Sequence, residues 1–186
     1  MALDAGTRVA DVMTTTVVTV APDARLEFAA RQLRAHHVSG LPVVERAHRV
    51  VGLLSENDIV EALHRATGVR SARGLLDLLL GSAPAKGESM LEVCRRQLRN
   101  GRVADAMTSP VVTVDRDAPV EEAARLLGTH GVKRLPVVDA HGDLVGIVTP
   151  GDIVQAVSGK RRRRRGALHP APTTGGSRPS GPFEDV

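Results

Sequence analysis

An α/β (α+β) fold built from two copies of one β-α-β-β-α unit is what this sequence predicts, and three observations predict it. V-A-D-V-M-T from Val9 returns as V-A-D-A-M-T from Val103, and L-P-V-V from Leu41 returns from Leu135. A constant offset of 94 residues lays residues 9–63 over 103–157 without a gap, and about half of the positions are identical. Self-similarity of this kind marks a repeated structural unit. Each copy is about 55 residues, a size at which a lone domain buries too little apolar surface, so the two copies are expected to pack together.

The elements follow in order. V-V-T-V from Val17 is short and β-branched and reads as a strand; P-D-A-R-L-E-F-A-A-R-Q-L-R then puts Leu26, Ala29, Ala30 and Leu33 on one helical face at spacings of three and four. L-P-V-V from Leu41 and R-V-V-G-L-L from Arg49 are two apolar runs separated by the polar E-R-A-H, and S-E-N-D-I-V-E-A-L-H is helical again. The second copy keeps every element: V-V-T-V from Val111, a helix through Glu121 to Leu127, L-P-V-V, the D-A-H-G turn, L-V-G-I-V from Leu144 and a closing helix from Pro150. Pro119 and Pro150 are placed in first helical turns, where a missing N–H does little harm.

Four segments result: residues 1–63 as the first repeat, 64–102 as a helical linker, 103–159 as the second repeat and 160–186 as a tail. The linker holds G-L-L-D-L-L-L and E-S-M-L-E-V-C-R-R-Q-L, in which Met90, Leu91, Cys94 and Leu98 form one apolar stripe, and it reads as one or two helices lying against the core. From Lys160 the composition turns to K-R-R-R-R-R-G and then to Pro, Gly, Ser and Thr, which cannot bury enough apolar area to offset ordering entropy; residues 160–186 are predicted to be disordered.

Composition narrows the function classes. With 186 residues and 42 % hydrophobic content the chain builds one domain of ordinary size, and no apolar run approaches the ~18 residues of a membrane span. The N-terminus has no apolar signal-peptide core and Cys94 is the single cysteine, so a cytoplasmic location is expected. The net charge of +4 is all tail: residues 1–159 hold 18 Lys and Arg against 19 Asp and Glu, and residues 160–186 hold 7 against 2. Trp and Tyr are absent and Phe28 and Phe183 are the two aromatics, which disfavours modules that stack bases on aromatic rings.

The chemistry-bearing residues join the last strand of each copy to its last helix: G-L-L-S-E-N-D from Gly52 and G-I-V-T-P-G-D from Gly146. At the least, Ser55 and Thr149 are N-caps, with Asp58 and Asp152 as capping-box partners in the first turn. A helix N-terminus with free N–H groups and a hydroxyl also suits an anion, and a first-turn Asp suits two vicinal hydroxyls, so phosphate plus ribose fits both groups.

These residues carry a resemblance. The M-T-x-x-V-V-T-V opening, the L-P-V-V centre and the G-h-h-[ST]-x-x-D close, repeated in order at fixed spacing within β-α-β-β-α units, resemble the paired CBS domains of the Bateman module over about 110 residues plus the linker. The resemblance implies two repeats packed with pseudo-two-fold symmetry and two clefts between them that bind AMP, ADP, ATP or S-adenosylmethionine as regulatory ligands. Carried over by position, one cleft uses Thr15, Thr16, Val17, Val38, Ser39, Gly40, Leu41 and Pro42, with Ser55 toward phosphate and Asp58 toward ribose. The other uses Ser109, Pro110, Val111, Val132, Lys133, Arg134, Leu135 and Pro136, with Thr149 toward phosphate and Asp152 toward ribose. Ser39 and Gly40 stand where the second copy has Lys133 and Arg134, so the clefts are expected to differ in their response to a polyphosphate.

The expectation is therefore a non-catalytic regulatory protein of a bacterial type, homodimeric, with no metal and no required cofactor, sensing an adenine nucleotide and acting on an unidentified protein partner. No copy contains a nucleophile with its base, a metal triad or paired catalytic carboxylates. The histidines (His36, His37, His48, His64, His130, His141 and His169) lack zinc-type clustering and read as surface or turn residues, and Cys94 reads as packing. The run Arg161, Arg162, Arg163, Arg164 and Arg165 sustains a rival: a dimeric scaffold with empty clefts that docks its tail on nucleic acid or an acidic partner, against the plainer reading of a solubilising tail. Recognition of DNA by the core is disfavoured by its slightly acidic balance.

Overall fold

The computed structural model describes residues 6–45, 48–67 and 89–158. The leucine-rich run at 74–80, the middle of the E-R-A-H turn, and residues 160–186 with their arginine run and His169 lie outside the described residues. In chain order the elements are α1 (Val9–Val12), α2 (Leu26–Ala35), β1 (Gly40–Val44), β2 (Val50–Ser55), α3 (Glu56–Thr67), α4 (Met90–Asn100), a 3-10 turn (Val103–Asp105), β3 (Val114–Asp115), α5 (Val120–His130), β4 (Leu135–Val138), β5 (Leu144–Val148) and α6 (Pro150–Val157). The mixed α/β fold of two repeats is thus present.

Matched apolar spacings make matched helices. α2 buries Leu26, Ala29 and Leu33, and α5 buries Val120, Ala123 and Leu127 at the same intervals. Each repeat adds an antiparallel hairpin, Leu41 opposite Leu54 in β1–β2 and Leu135 opposite Val148 in β4–β5, and all four side chains are fully buried. Burying a Leu or Val side chain of this kind contributes roughly 1.5–3 kcal/mol before ordering costs. Two apolar cores result, one per repeat.

The V-V-T-V runs depart from expectation: they pair with a sheet only at their ends. Val20 forms a parallel bridge to Val43, and β3 is two residues long, pairing parallel with Val137 and Val138. The cause is that the chain is tied at both ends to different sheets. Thr14 exchanges backbone hydrogen bonds with Ile147 of the second repeat (2.9 Å each way), while the Val20 N–H donates to Pro42 O of the first at 3.1 Å. Between those anchors the chain cannot follow one ladder. Pro119 also sits one residue earlier than expected, as the N-cap of α5, while Pro150 occupies the first turn of α6.

The opening segment of each repeat packs on the other repeat. Val9 of α1 is fully buried in the second core with Leu127, Leu135 and Val148, and Val103 and Ala106 join the first core with Leu26, Leu33 and Leu54. The backbone bonds come in matching pairs: Val9 N–H to Ala118 O and Val103 N–H to Ala24 O; Val120 N–H to Thr7 O and Leu26 N–H to Gly101 O. Each pair maps onto its mate through the 94-residue offset, which gives the two repeats their pseudo-two-fold relationship.

The second linker segment is helical as expected. α4 starts from a Ser89 N-cap whose Oγ accepts from the Glu92 N–H at 3.3 Å, and it packs against α2 and α3. Leu98 packs on the first core and Cys94 is half-buried, but Leu91 is exposed, so the apolar stripe is buried only in part; the Met90 side chain lies outside the description. Among the described residues no helix is long and apolar enough to cross a membrane.

Candidate functional site

Both hydroxyl–carboxylate pairs form the caps that their spacing predicts. Asp58 Oδ2 accepts from Ser55 N–H and Ser55 Oγ, each at 2.7 Å, and Asp152 Oδ2 accepts from Thr149 N–H at 2.9 Å and Thr149 Oγ1 at 2.7 Å. These bonds hold each carboxylate at the start of its helix, Asp152 with only 6 % of its surface exposed.

The exchanged opening segments decide what faces each cap. Leu53 and Thr108 exchange backbone bonds at 2.9 and 3.1 Å, Thr108 Oγ1 donates to Asp58 Oδ1 at 3.4 Å, and Ser109 Oγ donates to Val51 O at 3.0 Å. So the chain leading into the second repeat runs beside α3 of the first, and the segment at Thr14 runs beside β5 and α6 of the second.

Beside α6 the structure has a cleft of about 840 Å³. The first repeat lines it with residues 10–18, His36, Val38, Gly40 and Pro42, and the second with Arg134, Ile147, Thr149, Gly151, Asp152 and Gln155. Thr15, Thr16, Val17, Val38, Gly40 and Pro42 therefore line one cleft with Thr149 and Asp152, and although Gly40 pairs with Ser55 in the first hairpin, neither Ser55 nor Asp58 is part of that lining. The expected grouping is corrected: Ser55 and Asp58 stand with Thr108 and Ser109, because each opening segment crosses to the other repeat. Pro110 and Val111 follow Ser109 on that side.

Other expected residues separate as well. Leu41, Leu135 and Pro136 are buried, the two leucines in the repeat cores, and Val132 packs partly on the second core. Ser39 and Lys133 are exposed, and neither lines the cleft. Residues 10–14, Val18, His36, Ile147, Gly151 and Gln155 line it without having been singled out; the signal for the first group was the V-A-D-V-M-T repeat itself. The described histidines are all exposed.

Arg134 supplies the cleft's cation by reaching across the repeats. Its Nη1 donates to Gly40 O at 3.0 Å and its Nη2 to Ser39 Oγ. A Cβ at position 40 would stand 2.7 Å from Nη1, so the guanidinium occupies the space that only glycine leaves. Burial lowers the Arg134 pKa from the usual arginine value, and the nearby Glu56 carboxylate opposes that shift. Arginine stays charged across the physiological range.

Comparison with known proteins fits this geometry. The CBS domain family matches residues 9–65 and 103–159. The uncharacterized protein MJ1426 of Methanocaldococcus jannaschii is 35 % identical over 152 residues, covering 79 % of this chain and 89 % of that one. The crystal structure of CBSX2, from Arabidopsis thaliana, in complex with AMP is similar with a TM-score of 0.60 and 30 % identity, over 84 % of this chain and all of that one. The CBS domain pair of protein MJ0100 in complex with 5′-methylthioadenosine and S-adenosyl-L-methionine gives a TM-score of 0.59 at 25 % identity, over 83 % of this chain and 98 % of that one. Similar proteins come from archaea, a bacterium and plants, so the likeness gives no support to a specifically bacterial type. The inosine-5′-monophosphate dehydrogenase of Methanocaldococcus jannaschii is 30 % identical over 139 residues, 75 % of this chain, but these are only 21 % of that enzyme.

Proposed function

This chain belongs to the CBS-domain family, with two copies of the domain, and from that premise we propose that it is a non-catalytic regulatory module that binds an adenine nucleotide or related adenosyl ligand between its repeats and modulates a partner protein. The observation that carries this reading is the cleft beside α6, which neither repeat forms alone: the first contributes Thr15, Thr16, Val38 and Pro42, the second Thr149, Asp152 and Arg134. The Asp152 carboxylate suits the ribose hydroxyls, the Thr149 hydroxyl and the start of α6 suit a phosphate, and the aliphatic Val17 and Val38 suit the faces of an adenine. The similar structures that hold AMP, or 5′-methylthioadenosine with S-adenosyl-L-methionine, support the adenosyl class. A ligand held by both repeats strengthens their association, which is the physical means by which occupancy reaches a partner-binding surface.

Dye-reported thermal unfolding tests the reading, with AMP, ADP, ATP, S-adenosylmethionine and 5′-methylthioadenosine as ligands. One of them at 100 times its Kd adds about 2.7 kcal/mol of stability to the native chain. That shift is expected to be lost in Asp152→Ala and retained in Asp58→Ala. No shift with any of these compounds overturns the proposal.

A further inference from the structure

Met13 and Met107 are mates, 94 residues apart, on either side of the pseudo-two-fold axis. Each belongs to an opening segment that crosses over, and each wedges its side chain between the repeats, Met107 on the first core and Met13 on the second. A Cβ on Gly52 would stand 2.5 Å from the Met107 sulfur and 3.1 Å from its Cγ, and one on Gly146 would meet Met13 at 2.5 and 3.0 Å, so neither seat has spare volume. The backbone donors beside each thioether are engaged. Met13 N–H donates to Val9 O at 2.9 Å and Met107 N–H to Val103 O at 2.8 Å, while Thr14 with Ile147, and Thr108 with Leu53, bond each other in both directions. Both methionines are half-buried and keep part of their surface open to solvent. The chain has no Trp or Tyr, and its sulfur-bearing side chains are four methionines and Cys94, so two of the five sulfurs stand at the seam between the repeats.

We propose that Met13 and Met107 are a paired oxidation site, through which a hydroperoxide releases each opening segment from its seat on the other repeat. The thioether lone pair attacks the distal peroxide oxygen, an S–O bond forms as the O–O bond breaks, and the proton on the transferred oxygen passes to the leaving one. Sulfur is oxidised to the sulfoxide and the peroxide is reduced, hydrogen peroxide leaving as water. The product is a polar, chiral group where an apolar, adaptable one fitted. Its new oxygen needs a hydrogen-bond donor, and the backbone N–H groups at the seat are already spent. A buried acceptor without a partner carries its full desolvation cost, which undocking the segment into water removes. Thr15, Thr16 and Val17 follow Met13 in the same segment, so the wall that the first repeat contributes to the cleft beside α6 moves with it.

Peroxide treatment of the full chain tests this, followed by dithiothreitol, which restores reversibly oxidised Cys94 and leaves methionine sulfoxide in place. Peptide mass spectrometry reads the conversion of each methionine, and thermal unfolding reads the docking. Sulfoxide at residues 13 and 107 is expected to lower the unfolding midpoint by on the order of 5 °C, and methionine sulfoxide reductases are expected to restore it. The double variant Met13→Leu, Met107→Leu nearly conserves side-chain volume and is expected to hold its midpoint while Met1 and Met90 oxidise. Where the double variant does not fold, the native chain decides alone, by whether its midpoint follows the sulfoxide at 13 and 107 rather than that at 1 and 90. An equal fall in the double variant, conversion at 13 and 107 without a fall, or no conversion there under peroxide that converts Met1 and Met90, each overturns the proposal.

Discussion

The Met107 sulfur lies over Gly52, only 2.5 Å from where a Cβ on that glycine would stand, and Met13 stands in the same relation to Gly146. Each methionine belongs to an exchanged opening segment and each glycine to the hairpin that receives it. The glycine of the G-h-h-[ST]-x-x-D close is therefore a docking seat for the other repeat.

Gly52→Ala and Gly146→Ala are each expected to cost about 1–3 kcal/mol through overpacking against the methionine. Gly128→Ala provides the contrast: it lies inside α5 with nothing within 4 Å of an added Cβ, and it is expected to stabilise by roughly 0.5–1 kcal/mol. Urea midpoints that shift in the same direction for all three variants would sink the seat interpretation.

The exchange predicts which residues couple. Val9→Ala is expected to cost about 1–3 kcal/mol, and in a double-mutant cycle it couples to Leu127→Ala, which shares its core, but not to Leu33→Ala, the matching leucine of its own repeat. Coupling energies of about 0.5 kcal/mol or more with Leu127, and near zero with Leu33, are the expected pattern. The reverse pattern contradicts the exchange.

Two histidines stand in left-handed backbone, His37 at φ 52° and His48 at φ 63°. The second copy has glycine at both positions, Gly131 at φ 61° and Gly142 at φ 82°. His37→Gly and His48→Gly are expected to stabilise by up to about 1 kcal/mol each, the relief of side-chain strain less the entropy that glycine adds to the unfolded chain. Thermal midpoints that fall in both variants contradict this.

The Asp139 turn gives a pH dependence. Asp139 Oδ1 accepts from the Asp143 N–H at 3.1 Å and the His141 N–H at 2.9 Å, and these bonds, the Asp143 one foremost, hold its pKa below the usual carboxylate value although desolvation opposes them. A carboxylate with a depressed folded-state pKa contributes stability above its unfolded value of about 3.9 and loses it as pH falls through the folded value. The urea midpoint of Asp139→Ala is therefore expected below that of the native chain at pH 7, with the gap narrowing in acid below about pH 4. A gap independent of pH contradicts the assignment.

Much was legible locally. The spacing of Leu26, Ala29 and Leu33 gave α2, and the same spacing gave α5, because a helix periodicity of 3.6 shows in any amphipathic segment. Ser55 with Asp58 and Thr149 with Asp152 announced both caps, since a capping box is closed within four residues. The V-V-T-V runs were misread as full strands because β-branched composition reports an extended backbone and says nothing of whether a partner lies alongside. Likewise, the buried Leu41 and Leu135 share a segment with residues that line or border the cleft, and alternation along a strand separates them only once the sheet's faces are known.

By itself the sequence determined that there are two copies of one unit, the order of its principal helices and hairpin, the apolar faces of α2 and α5 and the caps that place Asp58 and Asp152. Only the tertiary structure decided which opening segment meets which cap, and hence that Thr15 and Val17 share a cleft with Thr149, Asp152 and Arg134. The reason is the repetition itself. Two nearly identical hairpins offer each V-A-D-x-M-T segment two nearly identical seats, so local pattern is satisfied equally by docking at home or across. The choice rests on how the whole chain closes around the axis where Arg134 lies on Gly40.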